Sequence, residues 1–451
     1  MLPSAVMPQG KLQRQLGALS ATSIVVANMV GTGIFTLSGF LIGDLGSPWL
    51  LVGVWFAGAV LALAGALCYS ELSTNFPRSG GEYVYLTEAW GPVWGFVTGW
   101  VSFFAGFSGA IAAAGLAVIE YLSYFFPALQ QPGPGRALAC GVVIVFHLLN
   151  VVGLSPAARV QNFLTVTKIA VLAAFVFLGI SMGQGDWSHF SFQAARSSTS
   201  PLAAQFLVSL VLVYFGYSGW NAATYVAEEV REPERTIPRS LVAGTILVAA
   251  LYCALNVVFV YANHPDKIKG AVAVGAQAAS SLFGAGIAGL FSGLMAFSLL
   301  STINAMAMIG PRVYYAMAGQ GAFFGAARQV HPRWNTPWIA VLAQCACCCL
   351  LIVASTFRDL VQYVGFSLWL FTLMSVAGLF RLRRRPGWKP LPAANFLFPL
   401  IPGIYIAASG WALINAVLYR PRQSVYGLLT IATGALVWAL TKRRASSPPS
   451  P

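Results

Sequence analysis

"NMVGTGIF", residues 28–35, sits in the middle of the first long apolar run of the chain, with Gly31 and Gly33 flanking Thr32. A glycine in a helix interior costs about 1 kcal/mol relative to alanine. Two of them at a midpoint predict a helix that is interrupted there. The interruption matters because the run around it is long enough to cross a bilayer.

The chain has 451 residues, of which 58% are hydrophobic and only 8% charged. A soluble domain carries about 25% charged residues. A helical span needs roughly 20 apolar residues. Twelve such runs are present, at about 16–43, 47–75, 92–125, 136–152, 158–182, 202–227, 237–262, 284–316, 336–355, 358–381, 392–418 and 423–441. The run at 136–152 is the shortest and lies between Pro134 and Pro156. These runs are too long for barrel strands, and in lipid only helices or closed barrels satisfy the backbone. The expectation is an all-α polytopic membrane protein of twelve transmembrane helices. It has a single transmembrane domain over 1–445 and a disordered tail at 446–451, "SSPPSP". The first run is too long for a cleavable signal and lacks a small-residue cleavage site.

A formal net charge of +14 raises the question of nucleic acid, but its distribution argues against it. With the N-terminus cytoplasmic and the spans alternating, eighteen Lys and Arg fall on the cytoplasmic side and seven on the outer side. The positive-inside rule then places both termini in the cytoplasm, and for a prokaryotic cell the location is the cytoplasmic (inner) membrane. "RLRRRPGWK" (381–389) is the densest basic patch, placed where anionic lipid headgroups meet it.

One basic residue belongs to neither side. Lys168, in "LTVTKIAVLAAF", lies about ten residues inside the fifth run. That is roughly 15 Å deep at about 1.5 Å per residue, too far to snorkel. An ionisable residue at that depth marks a functional site by default. It is read here as a lysine tied to backbone carbonyls beside a transport site, since free carbonyls at mid-membrane exist only where a helix is broken.

The sixth run supplies a second break. "VYFGYSGWNAATYVAEEV" (213–230) carries Gly216 and Gly219 around Tyr217 and Ser218. Small residues also serve close helix packing, so these glycines alone say little. Their pairing with the first break says more. Five spans separate the two, and an odd offset makes the helices antiparallel. That is the trace of a five-plus-five inverted repeat with discontinuous helices 1 and 6. Repeat one covers about 16–182 and repeat two about 202–381, with extra helices at about 392–441.

An unwound segment exposes N–H groups at the start of one half-helix and C=O groups at the end of the other. The first end attracts an anion and the second a cation. A free amino acid offers both charges on one carbon. Gly31, Thr32 and Gly33 are therefore expected to hold its carboxylate. The carbonyls of Met29, Phe215 and Ser218 are expected to hold its ammonium.

At these residues the chain resembles the amino acid–polyamine–organocation transporters and, within them, the L-type amino-acid transporters. The resemblance covers roughly 15–440. It rests on "GTGIF" (31–35), "YSELSTNFPRSGGEYVYL" (69–86), "FGYSGWN" (215–221) and "EEVREPERTIPRSL" (228–241). It implies the twelve-helix inverted-repeat fold and alternating access. It implies substrate contacts at Met29, Gly31, Thr32, Gly33, Phe215, Ser218, Gly219 and Asn221. Phe215 matches the aromatic that closes over the substrate from outside. Lys168 matches a lysine that resembles a stand-in for the sodium ion of related carriers, a coupling and gating role.

The chain departs from the family in two places. It reads "AMAGQG" (316–321) where an "ArxG" or "ArDG" is common, so the inner loop there is expected to close differently. The segment "SYFFPALQQPGPGR" (123–136) has no cysteine where animal relatives link to a glycoprotein. A prokaryotic carrier without a disulfide-linked heavy chain is expected.

Other conspicuous residues read as packing. Cys345, Cys348 and Cys349 of "CACCC" share a helical face as soft buried hydrophobes, with no metal expected. His147, His189, His264 and His331 show no metal-ligand spacing. Glu228 and Glu229, among Arg231, Arg235 and Arg239, read as a solvated charge network with an inner gate as the alternative. Nothing assembles a nucleophile with a base and an orienting group, so no enzyme is expected and no cofactor. Two broken helices argue for an occluded central site rather than a channel's continuous pore. No acidic residue is expected near the two breaks, which disfavours cationic substrates. The reading is a secondary transporter of neutral L-amino acids, sodium-independent and exchanging by alternating access. The alternative is a proton-coupled symporter in which Lys168 loses and regains its proton.

Overall fold

A computed structural model describes residues 12–31, 33–271, 273–419 and 421–445. Thr32 and the tail at 446–451 lie outside the described residues. The chain is helical. Its principal helices are α1 (Ala18–Met29), α2 (Gly33–Leu45), α3 (Pro48–Asn75), α4 (Glu82–Trp90), α5 (Pro92–Leu122), α6 (Pro132–Val152), α7 (Leu154–Met182), α8 (Leu202–Gly216), α9 (Pro233–Ala262), α10 (Val274–Phe283), α11 (Ala288–Gly319), α12 (Trp338–Ala354), α13 (Phe357–Leu382), α14 (Leu400–Tyr419) and α15 (Pro421–Ala445).

Six of these are long and apolar enough to cross a membrane: α3, α5, α6, α7, α9 and most of α11. A seventh crossing is formed if α1 and α2, bent by 41° at a short break, count as one span. The remaining runs contain shorter apolar helices, among them Leu202–Gly216 and Trp338–Ala354. The run read as 392–418 is divided in two. A short helix, Pro392–Phe396, precedes α14, so the long helix starts eight residues later than the hydropathy suggests.

Polarity is distributed as a bilayer requires. Phe56, Phe163, Phe177 and Leu350 stand largely exposed on outer helix faces. Lys168, Asn304, Arg312 and Glu229 are buried in the interior. Apolar faces outward and hydrogen-bonded polar groups inward are the arrangement in which lipid, not water, surrounds the helices.

Helix α9 packs along α3, α1 packs against α9 and α7, and α2 packs against α8. The two interrupted segments are thus held at the centre by long continuous helices. Part of the basic patch is committed to the protein itself. Arg383 makes two bonds, 2.7 and 2.6 Å, to the buried Glu71 carboxylate, and Arg385 pairs with Glu88. Arg381 and Arg384 stay exposed.

Candidate functional site

The first interruption begins where α1 ends at Met29. The Val30 N–H still reaches Val26 and the Gly31 N–H turns back to the Met29 carbonyl, 3.0 Å away, before α2 starts at Gly33. The second begins after Gly216. Tyr217 to Asn221 form turns, and the chain resumes as a 3-10 helix over Ala222–Glu229. The two breaks touch. Gly219 adopts φ +100°, and a Cβ there would lie 2.8 Å from the backbone of Asn28. Only glycine has both the dihedral and the clearance for this crossing.

Carbonyls freed by the first break are taken up by three long-range partners. Lys168 Nζ donates to Val30 O at 2.8 Å and lies 3.4 Å from Thr302 Oγ1. The Thr302 hydroxyl donates to Ala27 O at 3.0 Å. The Tyr252 hydroxyl lies 2.7 Å from Met29 O and 3.2 Å from Gly216 O, so a single proton bridges both interrupted segments. Trp55 packs edge-on against Tyr252 and Tyr217 behind them. The opposite end is different in kind. The first N–H groups of a helix have no acceptor within it, and α2 starts with Gly33 at the wall of a cavity.

That cavity brings together Met29, Gly31, Gly33, Phe215, Ser218, Gly219 and Asn221. Thr32 is the one expected contact outside the described residues. Met29 O already accepts from the Tyr252 hydroxyl and from the Gly31 N–H, and Phe215 O accepts from the Ser218 N–H. Lys168 does not line the cavity; it stands behind the first break. The walls that hydropathy alone left unassigned come from three further helices. A π-helical stretch of α5, Ser102–Gly109, contributes Ser102, Gly106 and Phe107. Helix α11 adds Thr302 and Met306, and α13 adds Trp369 and Thr372. π-helical turns inside α-helices are frequent at functional sites because they re-aim side chains.

An acidic residue does lie beside the second break, against the sequence expectation. Glu82, at the start of α4, accepts from Tyr69 at 2.9 Å and from the Asn221 side-chain amide. It comes from a connecting segment far away in sequence, which is why position along the chain hid it. Burial pushes its carboxyl above the usual range, against hydrogen bonds from Tyr225, Tyr69 and Asn221.

The Glu228–Glu229 expectation is also revised. Glu229 is fully buried, and Arg312 of α11 grips its carboxylate at 2.7 and 3.0 Å. The Glu229 carbonyl accepts from the Gln15 and Leu16 N–H groups, and Arg231 N–H returns to Leu16 O. The segment before α1 is thereby pinned to the end of the broken sixth segment. The neighbouring Arg231, Arg235 and Arg239 are not its partners. His147 is buried with Nδ1 against Val143 O. All seven cysteines are free and lie within helices.

The family described as amino acid permease matches residues 16–440. The serine/threonine exchanger SteT of Bacillus subtilis (strain 168) is 28% identical over 448 residues, covering 97% of this chain and 98% of its own length. The large neutral amino acids transporter small subunit 2 of Homo sapiens is 30% identical over 439 residues, covering 95% of this chain and 80% of its own length. The b(0,+)-type amino acid transporter 1 of Homo sapiens is 27% identical over 444 residues, covering 95% and 88%.

Proposed function

This chain belongs to the amino acid permease family, and on that footing we propose that it exchanges neutral L-amino acids across the cytoplasmic membrane without sodium. It is a transporter, not an enzyme. Twelve spans, both termini in the cytoplasm, and a five-plus-five inverted repeat complete the reading. Support for the repeat comes from the two breaks five spans apart and from the packing of α3 along α9, the second and seventh runs.

The observation that carries the proposal is the Lys168 ammonium at the first break. Its 2.8 Å bond to Val30 O and its approach to Thr302 put a fixed positive charge among the carbonyls that a bound cation would otherwise bridge. A carrier with that charge built in has no need of a sodium ion there. The substrate carboxylate then rests on the N–H groups at Gly31, Thr32 and Gly33. Its ammonium rests on the carbonyl oxygens of Met29, Phe215 and Ser218. Phe215, Ser218, Gly219 and Asn221 shape the rest, and Phe215 closes the outer side. The relatives named as an exchanger and as a transporter of large neutral amino acids support this substrate class. No cysteine occurs in 123–136, which supports a carrier without a disulfide-linked partner. The exposed Arg381 and Arg384 meet lipid headgroups.

A specific observation favours a second reading. Among the described residues, the hydrogen-bond partners of Lys168 are a carbonyl and a hydroxyl, both neutral. A buried lysine without a counter-charge is able to shed its proton, which is what a proton-coupled symporter requires. Uptake of radiolabelled amino acids into proteoliposomes tests the proposal. Exchange predicts rapid uptake into vesicles preloaded with unlabelled substrate and little into empty ones. Equal uptake into both overturns it.

A further inference from the structure

Glu82 stands under the second break and does not itself line the cavity. It reaches the cavity through two hydrogen-bond partners that line it, Asn221 and Tyr225, and Asn221 lies at the second break. The route is built deliberately. Ser79, Gly80 and Gly81 run beneath the end of the sixth segment, with Ser79 Oγ accepting the Glu228 N–H at 3.0 Å and the Gly80 N–H on Tyr225 O at 3.3 Å. Gly81 adopts φ +53°, and a Cβ there would fall 2.6 Å from the Tyr225 ring. The chain passes under Tyr225 only as glycine, and the next residue, Glu82, is delivered to Asn221.

The donors and acceptors around Glu82 leave one arrangement. An ionised carboxylate only accepts. Tyr69 donates to it at 2.9 Å, and Tyr225 and the Asn221 Nδ2 donate as well. Asn221 Nδ2 also donates to the Tyr225 hydroxyl at 3.2 Å. Both amide hydrogens are thereby used on the protein side. The group left to face the cavity is Oδ1.

We infer that Glu82 is a positioning residue of the substrate site, which fixes the Asn221 amide so that its carbonyl oxygen, not its NH2, faces the cavity. The floor then presents an acceptor to the donors a substrate brings, its ammonium or a side-chain hydroxyl or amide. Without an acceptor-only group at position 82, nothing selects between the two amide orientations. This inference rests on the carrier reading above.

A double-substitution cycle tests it. The probe is whichever of the twenty radiolabelled amino acids the wild-type protein takes up fastest into preloaded proteoliposomes. Glu82→Gln keeps the size of the side chain but adds an NH2 group, so the amide at 221 is free to turn. Its half-saturation concentration is expected to rise about three- to tenfold, the worth of one hydrogen bond, with the maximal rate changed less. In an Asn221→Ala background the same substitution is expected to change nothing, because groups that act through one another are non-additive. Tyr225→Phe, which removes a donor to Glu82 and an acceptor for Asn221, is expected to shift half-saturation in the same direction and serves if Glu82→Gln does not reach the membrane; because Tyr225 also lines the cavity, it too is compared in the Asn221→Ala background, where no shift is expected. An equal loss in both backgrounds, or an unchanged half-saturation with either Glu82→Gln or Tyr225→Phe, overturns the inference and leaves the carrier reading standing. A wild type that moves none of the twenty overturns both.

Discussion

Lys168 Nζ lies 2.8 Å from the carbonyl oxygen of Val30, across 138 residues of sequence, and ties the fifth run to the point where the first is interrupted. The bond joins the two features that stood out in the sequence, a charge at mid-membrane and a glycine pair at mid-helix. Each explains the other. The break frees the carbonyl, and the carbonyl gives the ammonium a partner that lipid cannot.

The two glycines of the break are predicted to differ. A Cβ at Gly31 meets nothing within 4 Å, whereas one at Gly33 would approach Gly216 Cα at 3.2 Å. Gly31→Val therefore projects into the cavity and should abolish uptake with little change in thermal unfolding. Gly33→Val should wedge the two broken segments apart and lower both. Substrate affinity and unfolding temperature in detergent check this. Wild-type affinity in Gly31→Val is incompatible with the site.

The Arg312–Glu229 pair is predicted to be a moving part. Both side chains are fully buried, so removing one partner leaves an uncompensated charge, at a cost of about 3–5 kcal/mol. Arg312→Ala should thus unfold at clearly lower temperature. Replacing both by apolar residues is often neutral for stability, so Arg312→Met with Glu229→Leu should fold. That double variant should nonetheless transport poorly, because an apolar contact between the end of the sixth segment and α11 has no polar groups to rehydrate when the inner end opens. Wild-type flux in the double variant would remove the pair from the transport cycle.

Much of this was legible in the residues themselves. Gly31, Gly33, Gly216 and Gly219 announce the breaks because glycine has a known cost in a helix, and Lys168 announces itself because charge is expensive in lipid. The Phe215 carbonyl followed from the second break, whereas its ring as an outer gate and Asn221 as a substrate contact were reached through the resemblance. Tyr252 and Thr302 were not reached at all. Tyrosine and threonine are ordinary in membrane helices, and their bonds to Met29 and Ala27 span 223 and 275 residues. Glu82 and Arg312 were hidden for the same reason. Local charge patterning pointed Glu229 at Arg231, Arg235 and Arg239, while its partner lies 83 residues on.

Glu82 gives the site a pH dependence of defined sign. It lies in the connecting helix α4, and burial raises its carboxyl above the ordinary 4.5, opposed by hydrogen bonds from Tyr225, Tyr69 and Asn221. Tyr85 also faces it, and none of these neighbours carries a positive charge. With a raised folded-state value, this group's contribution to stability is greatest at low pH and is lost as pH rises through that value. Substrate affinity follows the ionised form and runs the other way. Half-saturation should rise as pH falls toward 4.5, starting earlier than an exposed glutamate would titrate, and Glu82→Gln should flatten the curve. Parallel pH profiles for wild type and Glu82→Gln would contradict the assignment.

On the proposed reading, the Lys168 ammonium takes the place of a sodium ion. The most direct measurement is uptake into proteoliposomes under an inward sodium gradient, an inward proton gradient, or neither, with and without internal amino acid, for wild type and Lys168→Ala. The prediction is uptake that requires internal substrate, is indifferent to both gradients, and falls on the order of tenfold or more in Lys168→Ala, where Val30 O is left without its buried donor. Uphill accumulation in empty vesicles under the proton gradient would replace exchange with proton symport through Lys168. Accumulation that appears only under the sodium gradient would contradict the claim outright.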